Sequence, residues 1–322
     1  MNRAFPVTKL AVPALQLRLV VPWIALLALY AVTVMVSPGY LRPNQLGSLI
    51  QLASILGIVA IGQTLVILIA GIDLSVGAVA TLANLISAAL IDGKDANLPM
   101  AVLVSVAVGT LVGFTNGIII TALKVPDLVA TLATMTAVIG VGYLVTSGAP
   151  RGASSPLLTT VMTGRFAGVL TWGSVAWGVL ALAVIAMLRR FAVGRKIYAV
   201  GFNRSASHVA GISVNWTVIG LYAASGFFAS VAGVMVTGYT GSSFLGSGDT
   251  YQLATIAAVV LGGASIFGGY GGYGGTVAGV LITVLLVSIL QVVGIPQAGQ
   301  NIVYGVVILL MLAAFTPRTA ST

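Results

Sequence analysis

Apolar stretches long enough to cross a bilayer alternate with short polar breaks along almost the whole chain. A helical span needs on the order of 20 predominantly apolar residues. The pattern predicts about ten spans, at residues 19–36, 46–70, 76–91, 98–122, 128–146, 170–188, 214–236, 251–267, 274–293 and 302–315. Arg3, Lys9 and Arg18 precede the first apolar run, which is too long for a signal peptide and is followed by no small-residue cleavage pattern, so it counts as a span. Two polar interruptions, residues 147–166 and 189–215, are longer than the rest. In the second, NRSASHVAGI predicts one short helix on the membrane surface, with Asn203 as its N-cap, Ser205 and Ala206 in its first turn and Gly211 as its stop.

Composition turns this pattern into a class. Hydrophobic residues make up 59% of the chain and charged residues 6%, against about 25% charged in an average soluble domain. The fold class is an all-α integral membrane protein with about ten transmembrane helices. The 14 Lys and Arg face only five acidic residues, Asp73, Asp92, Asp95, Asp127 and Asp249, for a net charge of +9. These cations are spread between the spans rather than gathered in one patch, which argues for a topology signal and against a nucleic-acid partner. With a cytoplasmic amino terminus, the inside loops hold Arg3, Lys9, Arg18, Lys124, Arg189, Arg190, Arg195, Lys196, Arg204 and Arg318. The outside loops then hold Arg42, Lys94, Arg151 and Arg165, so both termini are expected in the cytoplasm.

Several chemistries are excluded by what the chain lacks. It has no cysteine, hence no disulfide, thiolate nucleophile or Cys-based metal site. Its only histidine, His208, lies in the long cytoplasmic loop, so neither a His-rich metal site nor a Ser-His-Asp set can form within the membrane. Gly93-Lys94 is followed by Asp95 rather than Ser or Thr, so no P-loop exists. No cofactor and no enzymatic activity are expected. Ion-coupled carriers line their path with several ionisable groups, and only Asp73, with Asp127 and Asp249 near span ends, is available for that.

Asp73 is the only charged side chain between residues 46 and 90, in the run GIDLSVG. A carboxylate at membrane depth needs a reason, because at a helix centre it costs roughly 2.5–3.5 kcal/mol. One reason is capping: with Ser75 it precedes an apolar helix whose free amides and positive dipole end favour an anion. Gly71 and Gly77 flank it and permit a break in the helix, tolerated at depth only against protein or a watered cavity. The other reason, compatible with the first, is direct contact with a translocated molecule. Further polar residues on apolar spans, Gln51, Gln63, Thr64, Asn84, Asn116, Thr131, Thr134 and Thr136, suit either a polyhydroxylated ligand or hydrogen bonds between helices.

Residues 262–275, GGASIFGGYGGYGG, lack the Lys and Ser/Thr of a phosphate loop and predict a tight turn between two spans, with Tyr270 and Tyr273 as interfacial aromatics. Two pairs of short segments suggest inverted repeats: VPD at Val125 with IPQ at Ile295, and the segments around Asp73 and Asp249.

Four stretches in order carry a family resemblance: GQTLVILIAGIDLSVGAVATL from Gly62, VPDLVATLATM from Val125, GRKIYAVGFNRSASHVAGI from Gly194 and TIAAVVLGGASIFGGYGGYGGTVAG from Thr255. The chain resembles the permease subunits of bacterial ATP-binding cassette importers for monosaccharides, the ribose/xylose/arabinose type. The resemblance implies one permease domain over residues 1–322, with a cytoplasmic tail at 1–18 and a coupling loop at 189–215, in the bacterial cytoplasmic membrane. It implies a sugar or polyol substrate, a second permease subunit, a periplasmic or surface-tethered sugar-binding protein and a separate cytoplasmic ATPase, all working among membrane lipid. The ATPase would engage the segment holding Gly194, Arg195, Gly201, Asn203, Ala206, His208 and Gly211. The family's Tyr-Glu-Leu-Asp before its Ala-Val-Val-Leu-Gly-Gly run is replaced by Tyr251, Gln252, Leu253 and Ala254, and its Arg-Gly pair after the Ala-Thr-Met stretch by Val141 and Gly142. The competing class is an ion-coupled or facilitative carrier that needs no ATPase.

Overall fold

The computed structural model describes residues 12–166 and 168–315. Arg3, Lys9 and Arg318 lie outside the described residues, as does the side chain of Arg18. Ten helices match the ten predicted spans: α1 (Val12–Val36), α2 (Pro43–Leu68), α3 (Val76–Ile91), α4 (Leu98–Ala122), α5 (Asp127–Thr146), α7 (Trp172–Arg190), α10 (Val214–Thr240), α11 (Asp249–Leu261), α12 (Tyr273–Val292) and α13 (Gln297–Phe315). Six of them are long and apolar enough to cross a membrane, and four are shorter apolar helices. Three helices lie between spans: α6 (Pro156–Thr163), α8 (Ala192–Phe202) and α9 (Arg204–Val209). A two-residue hairpin, β1 (Arg165–Phe166) against β2 (Leu170–Thr171), leads into α7.

Local chemistry sets most of the ends. Proline stands in the first turn of α2, α4 and α6, where its missing amide costs nothing. Pro126 and Pro296 immediately precede α5 and α13. Where the predicted boundaries fail, the reason is also local. The expected tail at 1–18 is helical from Val12. The span expected at 251–267 stops at Leu261, because Gly262 and Gly263 leave the helix and Gly263 takes a φ of +83°. The sixth span starts at Trp172, where the Thr171 hydroxyl accepts from the Ser174 amide and caps the helix.

Helix α2 is the central element: every residue from Ala53 to Leu68 is buried. Neighbour relations around it are reciprocal. α2 packs on α11 and α12 as α10 packs on α3 and α4, α3 touches α4 and α5 as α11 touches α12 and α13, and α2 and α10 cross each other. This is the arrangement that two related four-helix halves would produce, with α2–α5 matched to α10–α13. The α4–α10 crossing is built from small residues one turn apart: Gly109, Gly113 and Gly117 on α4 face Ser230, Gly226, Tyr222 and Ile219 on α10. A Cβ on Gly113 would run into the Tyr222 carbonyl. Gly113→Leu is therefore expected to prevent the crossing, and the variant should elute as aggregate on size-exclusion chromatography, whereas Gly140→Leu, with open space around it, should elute as wild type.

Loops collect at the two ends of the helix bundle. One end carries residues 69–75, Lys124, α8, α9 and the glycine-rich loop 262–272, joined by hydrogen bonds from Gly269 to Leu68 and from Arg204 to Ile69. The other carries residues 92–97, 147–171 and 241–248, joined by bonds from Gly93 to Ala153 and from Ser154 to Gly241.

Candidate functional site

The densest convergence of elements is at the break between α2 and α3. Its backbone polar groups, left without helical partners, are each taken by a different element. The Leu68 carbonyl accepts from the Gly269 amide of the glycine-rich loop at 2.9 Å, and the Ile69 carbonyl from Arg204 Nη2 of α9 at 3.1 Å. The Ile72 amide donates to Asp127 Oδ2 at the start of α5 at 2.6 Å, and the Ile72 carbonyl accepts from Tyr222 of α10 at 3.4 Å. Ala70 holds a φ of +58°, uncommon for a residue with a side chain. Four elements thus hold one short segment.

Asp73 closes the set from inside. It is 1% exposed. Its Oδ1 accepts from the Ser75 amide at 2.9 Å and the Ser75 hydroxyl at 2.6 Å, and its Oδ2 from the Ser225 hydroxyl of α10 at 2.7 Å. The chain continues outward: Asn116 Nδ2 of α4 donates to Ser75 Oγ at 3.0 Å, and Thr134 of α5 donates to Asn116 Oδ1 at 2.7 Å. The capping expectation needs correction here. Ser75, not Asp73, is the N-cap of α3, and its side chain makes no capping bond. Asp73 instead forms a turn onto the amide two residues ahead and spends its other oxygen on a different helix. Gly71 lies where a Cβ would meet the Tyr222 hydroxyl at 2.6 Å, and Gly77 lies against Gly248, which precedes α11.

The expected cytoplasmic helix is present as α9. Asn203 Oδ1 accepts from the Ala206 amide at 2.9 Å, and Gly211, at φ +81°, ends it while the Ile212 amide bonds back to Ser207. The sequence pattern did not yield α8 before it. Its signal was the spacing of Gly194, Ile197 and Val200, which are buried, against Arg195 and Lys196, which are exposed. Gly201 fits where a Cβ would strike the Leu68 carbonyl, so α8 rests directly on the end of α2. The outward surface of α8 and α9 combines exposed Phe191, Val193, Phe202 and Val209 with Arg195, Lys196, Ser205 and His208.

Two cavities flank this pair of helices. One, of about 1040 Å³, is lined by Ala70, Lys124, Asp127, Arg204, His208 and Asn215. The other, of about 380 Å³, is lined by Arg189, Tyr198, Phe202 and Tyr270 among glycines of the 262–274 loop. Tyr198 donates to the Gly271 carbonyl at 2.8 Å. Burial raises its pKa, partly offset by the Arg189 cation, so it stays a donor at neutral pH. Tyr270 stacks on Phe202 with ring centroids 5.0 Å apart. Tyr273 is buried rather than interfacial: it donates to the Gly57 carbonyl and accepts from Trp177 Nε1, because α12 starts inside the bundle.

The remaining polar candidates mostly join helices. Thr64 meets Thr276 of α12 at 3.0 Å, and Asn84 donates to Thr237 of α10 and accepts from the Phe244 amide. Thr131 donates to its own helix at Asp127 and reaches the Ile72 carbonyl at 3.5 Å. Gln51 bonds the Met162 carbonyl, and Thr136 turns back on Leu132 of its own helix. Gln63 stands apart. It is fully buried in the middle of α2, and neither its amide nitrogen nor its oxygen has a partner among the described residues. An unpaired buried polar group costs about 1–3 kcal/mol. Gln63→Met is accordingly expected to raise the melting temperature, measured by thermal-shift in detergent. Among the described residues, no group of three His, Asp or Glu side chains is placed to hold a metal ion.

The sequence that builds this site has relatives among known proteins. The model of the family described as branched-chain amino acid transport system / permease component matches residues 45–315, from the start of α2 through α13. The chain belongs to this family. The permease is 38% identical over 293 residues to the ribose import permease protein RbsC of Escherichia coli (strain K12), covering 89% of this chain and 90% of that protein. It is 35% identical to RbsC of Bacillus subtilis (strain 168) over 303 residues, 93% of each chain. It is 31% identical to the galactose/methyl galactoside import permease protein MglC of E. coli K12 over 312 residues, 90% of this chain and 92% of that one. No solved structure matches it. The permease is a multi-pass membrane protein of a family of import permeases, and three of the four elements that hold the α2–α3 break (α5, α9 and the glycine-rich loop) begin or end within the stretches that carry the sequence resemblance.

Proposed function

We propose that the permease is the membrane-spanning subunit of an ATP-driven importer and moves a sugar or polyol across the bacterial cytoplasmic membrane by alternating access. The observation that carries this is the seating of α8 and α9 directly on the α2–α3 break, with an exposed apolar and basic surface facing away from the bundle. In this reading, a cytoplasmic ATPase docks on that surface through Arg195, His208 and the flanking Phe202 and Val209, with Gly194, Gly201, Asn203, Ala206 and Gly211 shaping the two helices. ATP binding and hydrolysis shift α8 and α9. Arg204 and Gly201 pass the shift to Leu68 and Ile69, and Asp127 passes it from Ile72 to α5. The end of the bundle that carries these helices also carries Lys124, Arg189, Arg190, Arg195, Lys196 and Arg204, whereas the opposite end carries Arg42, Lys94, Arg151 and Arg165. By the positive-inside rule this asymmetry supports a cytoplasmic place for α8 and α9, and in this reading both termini lie on the same side. A sugar-binding protein delivers substrate at the other end, and a second permease subunit completes the path.

Path contacts follow from the same reading. Asp73, Ser75, Asn84, Thr131 and Thr134 are held in the bonds between helices described above and act by shaping the path. Gln63, with no partner among the described residues, is the side chain free to take new bonds when the helices shift. Gln63→Met should therefore import more slowly despite its greater stability.

The test is uptake of labelled D-ribose, D-galactose and D-fructose into proteoliposomes, with the ATPase and ATP inside and the binding protein outside, each component omitted in turn. Uptake that needs every component is the expected result. Uptake by the permease alone, driven by an ion or sugar gradient, would refute the proposal in favour of a carrier.

A further inference from the structure

The two halves of the bundle use their matched aspartates differently. Asp73 is buried with three donors on its carboxylate. Asp249, its counterpart at the opposite end of the bundle, opens α11 and is exposed, and its carboxylate makes no hydrogen bond among the described residues. That carboxylate lines a cavity of about 160 Å³ between α3, α5 and the 245–249 turn. Tyr143 of α5 lines the same cavity, and its hydroxyl is likewise unbonded among the described residues. Leu82, Val138 and Ile139 supply apolar walls.

The turn that presents Asp249 is held in place. Thr81 of α3 accepts from the Gly248 amide at 2.9 Å and donates to the Gly77 carbonyl at 3.1 Å, and Asn84 one turn on accepts from the Phe244 amide. Gly246, at φ +77°, lies so close that a Cβ there would come 2.8 Å from Asp249 Oδ2. A fixed turn, a carboxylate acceptor and a phenol therefore stand around one partly open space.

We propose that this cavity is a recognition subsite for a neutral polyhydroxylated molecule at the outer end of the permease, with Asp249 accepting from ligand hydroxyls and Tyr143 bonding a hydroxyl through its phenol. The assignment deepens the import function proposed above and rests on it. Ligand chemistry follows from the lining. A polyol offers several donors to a carboxylate and a C–H face to Val138 and Leu82. A divalent cation takes six or more oxygen ligands, whereas the side-chain oxygens of this lining are one carboxylate, the Tyr143 phenol and the Thr81 hydroxyl, which is already bonded to Gly77 and Gly248. The cavity, about 160 Å³ and open on one side, has room for a sugar ring.

The natural absence of cysteine permits a direct test. Ile139→Cys places the only thiol of the chain in the cavity wall while leaving Asp249 and Tyr143 intact. In membranes holding the complete assembly, its alkylation by N-ethylmaleimide is timed with D-ribose, D-galactose, D-fructose or sodium chloride present. The expected result is about tenfold slower alkylation with the sugar that is imported, lost when Asp249→Asn is added. An Ala149→Cys control, outside the cavity, should be alkylated at one rate throughout. Alkylation of Ile139→Cys that no sugar slows, or that sodium slows equally, overturns the subsite. Uptake by the same membranes is measured in parallel: intact uptake without protection removes the subsite alone, and absent uptake removes it together with the import function. A second readout separates ligand contact from docking. Asp249→Ala should change the ratio of maximal uptake rates between the sugars at saturating binding protein. An equal fall for all sugars, restored by more binding protein, would make Asp249 a docking residue and overturn the assignment.

Discussion

Asp73→Ala is expected to yield a permease that cannot be purified as a folded monodisperse protein. The substitution leaves the Ser75 amide, the Ser75 hydroxyl and the Ser225 hydroxyl without their acceptor inside a fully buried site. Each buried donor left unpaired costs about 1–3 kcal/mol, and the sum is a large share of the total stability of an ordinary domain, about 5–15 kcal/mol. Asp73→Asn behaves differently. Its remaining oxygen still accepts from Ser75, and its new amide donates to Ser225, whose hydroxyl can rotate to accept. This variant should fold, melt within a few degrees of wild type and retain most uptake. The pair of variants also decides the old question of the lone carboxylate. A coupling carboxylate must bind and release a proton or cation, so loss of all uptake in a well-folded Asp73→Asn permease would give Asp73 that role and remove the purely structural one.

The second large effect is expected at the clamp around the break. Asp127→Ala removes the acceptor for the Ile72 amide, and Arg204→Ala the donor to the Ile69 carbonyl. Both residues are near the ends of their helices, and neither packs in a core, so folding should survive. Each should lower ATP-dependent uptake about tenfold, consistent with loss of a charge-assisted bond of about 1.5–3 kcal/mol, while ATP hydrolysis and co-purification of the ATPase persist. The double variant should be little worse than either single one, because both act through the same seven-residue break between α2 and α3. Additive losses, or an Arg204→Ala permease that no longer retains the ATPase, would show two independent effects and dismantle the transmission route. Asp127→Asn keeps an oxygen for Ile72 and should recover part of the uptake.

These predictions rest on contacts of different legibility. The helix break at residues 71–77 could be read from glycine, aspartate and serine flanked by apolar runs, and so could the presence of a short capped helix from Asn203 to Gly211. Asp127 was visible only as a charge near a span end, because its bond to Ile72 joins residues 55 apart in sequence. Arg204 was counted as one more cytoplasmic cation, and its target, Ile69, lies 135 residues away. The outward placement of Phe202 and Val209 is set by how α8 and α9 pack, which no local pattern reveals. Tyr273 was misassigned to the interface for the same reason: an aromatic beside glycines looks interfacial until the helix it starts is placed against α2 and α7.

By itself, the sequence determined the class of the molecule, the number and approximate limits of its spans, the break in front of α3, the cap on α9 and the family. All of these depend on hydrophobic runs, prolines, glycines and caps that act within a few residues, so the information is local. Only the tertiary structure decided how the charges are spent. Asp73 is consumed by Ser225, 152 residues away, whereas Asp249, placed alike in the other half, lines a cavity and is exposed, with no hydrogen bond to its carboxylate among the described residues. The physical reason is that a buried carboxylate must be satisfied by whichever donors the fold brings to it, and those donors come from helices distant in sequence. The same residue type in the same local pattern therefore becomes a structural acceptor at one end of the bundle and a free one at the other.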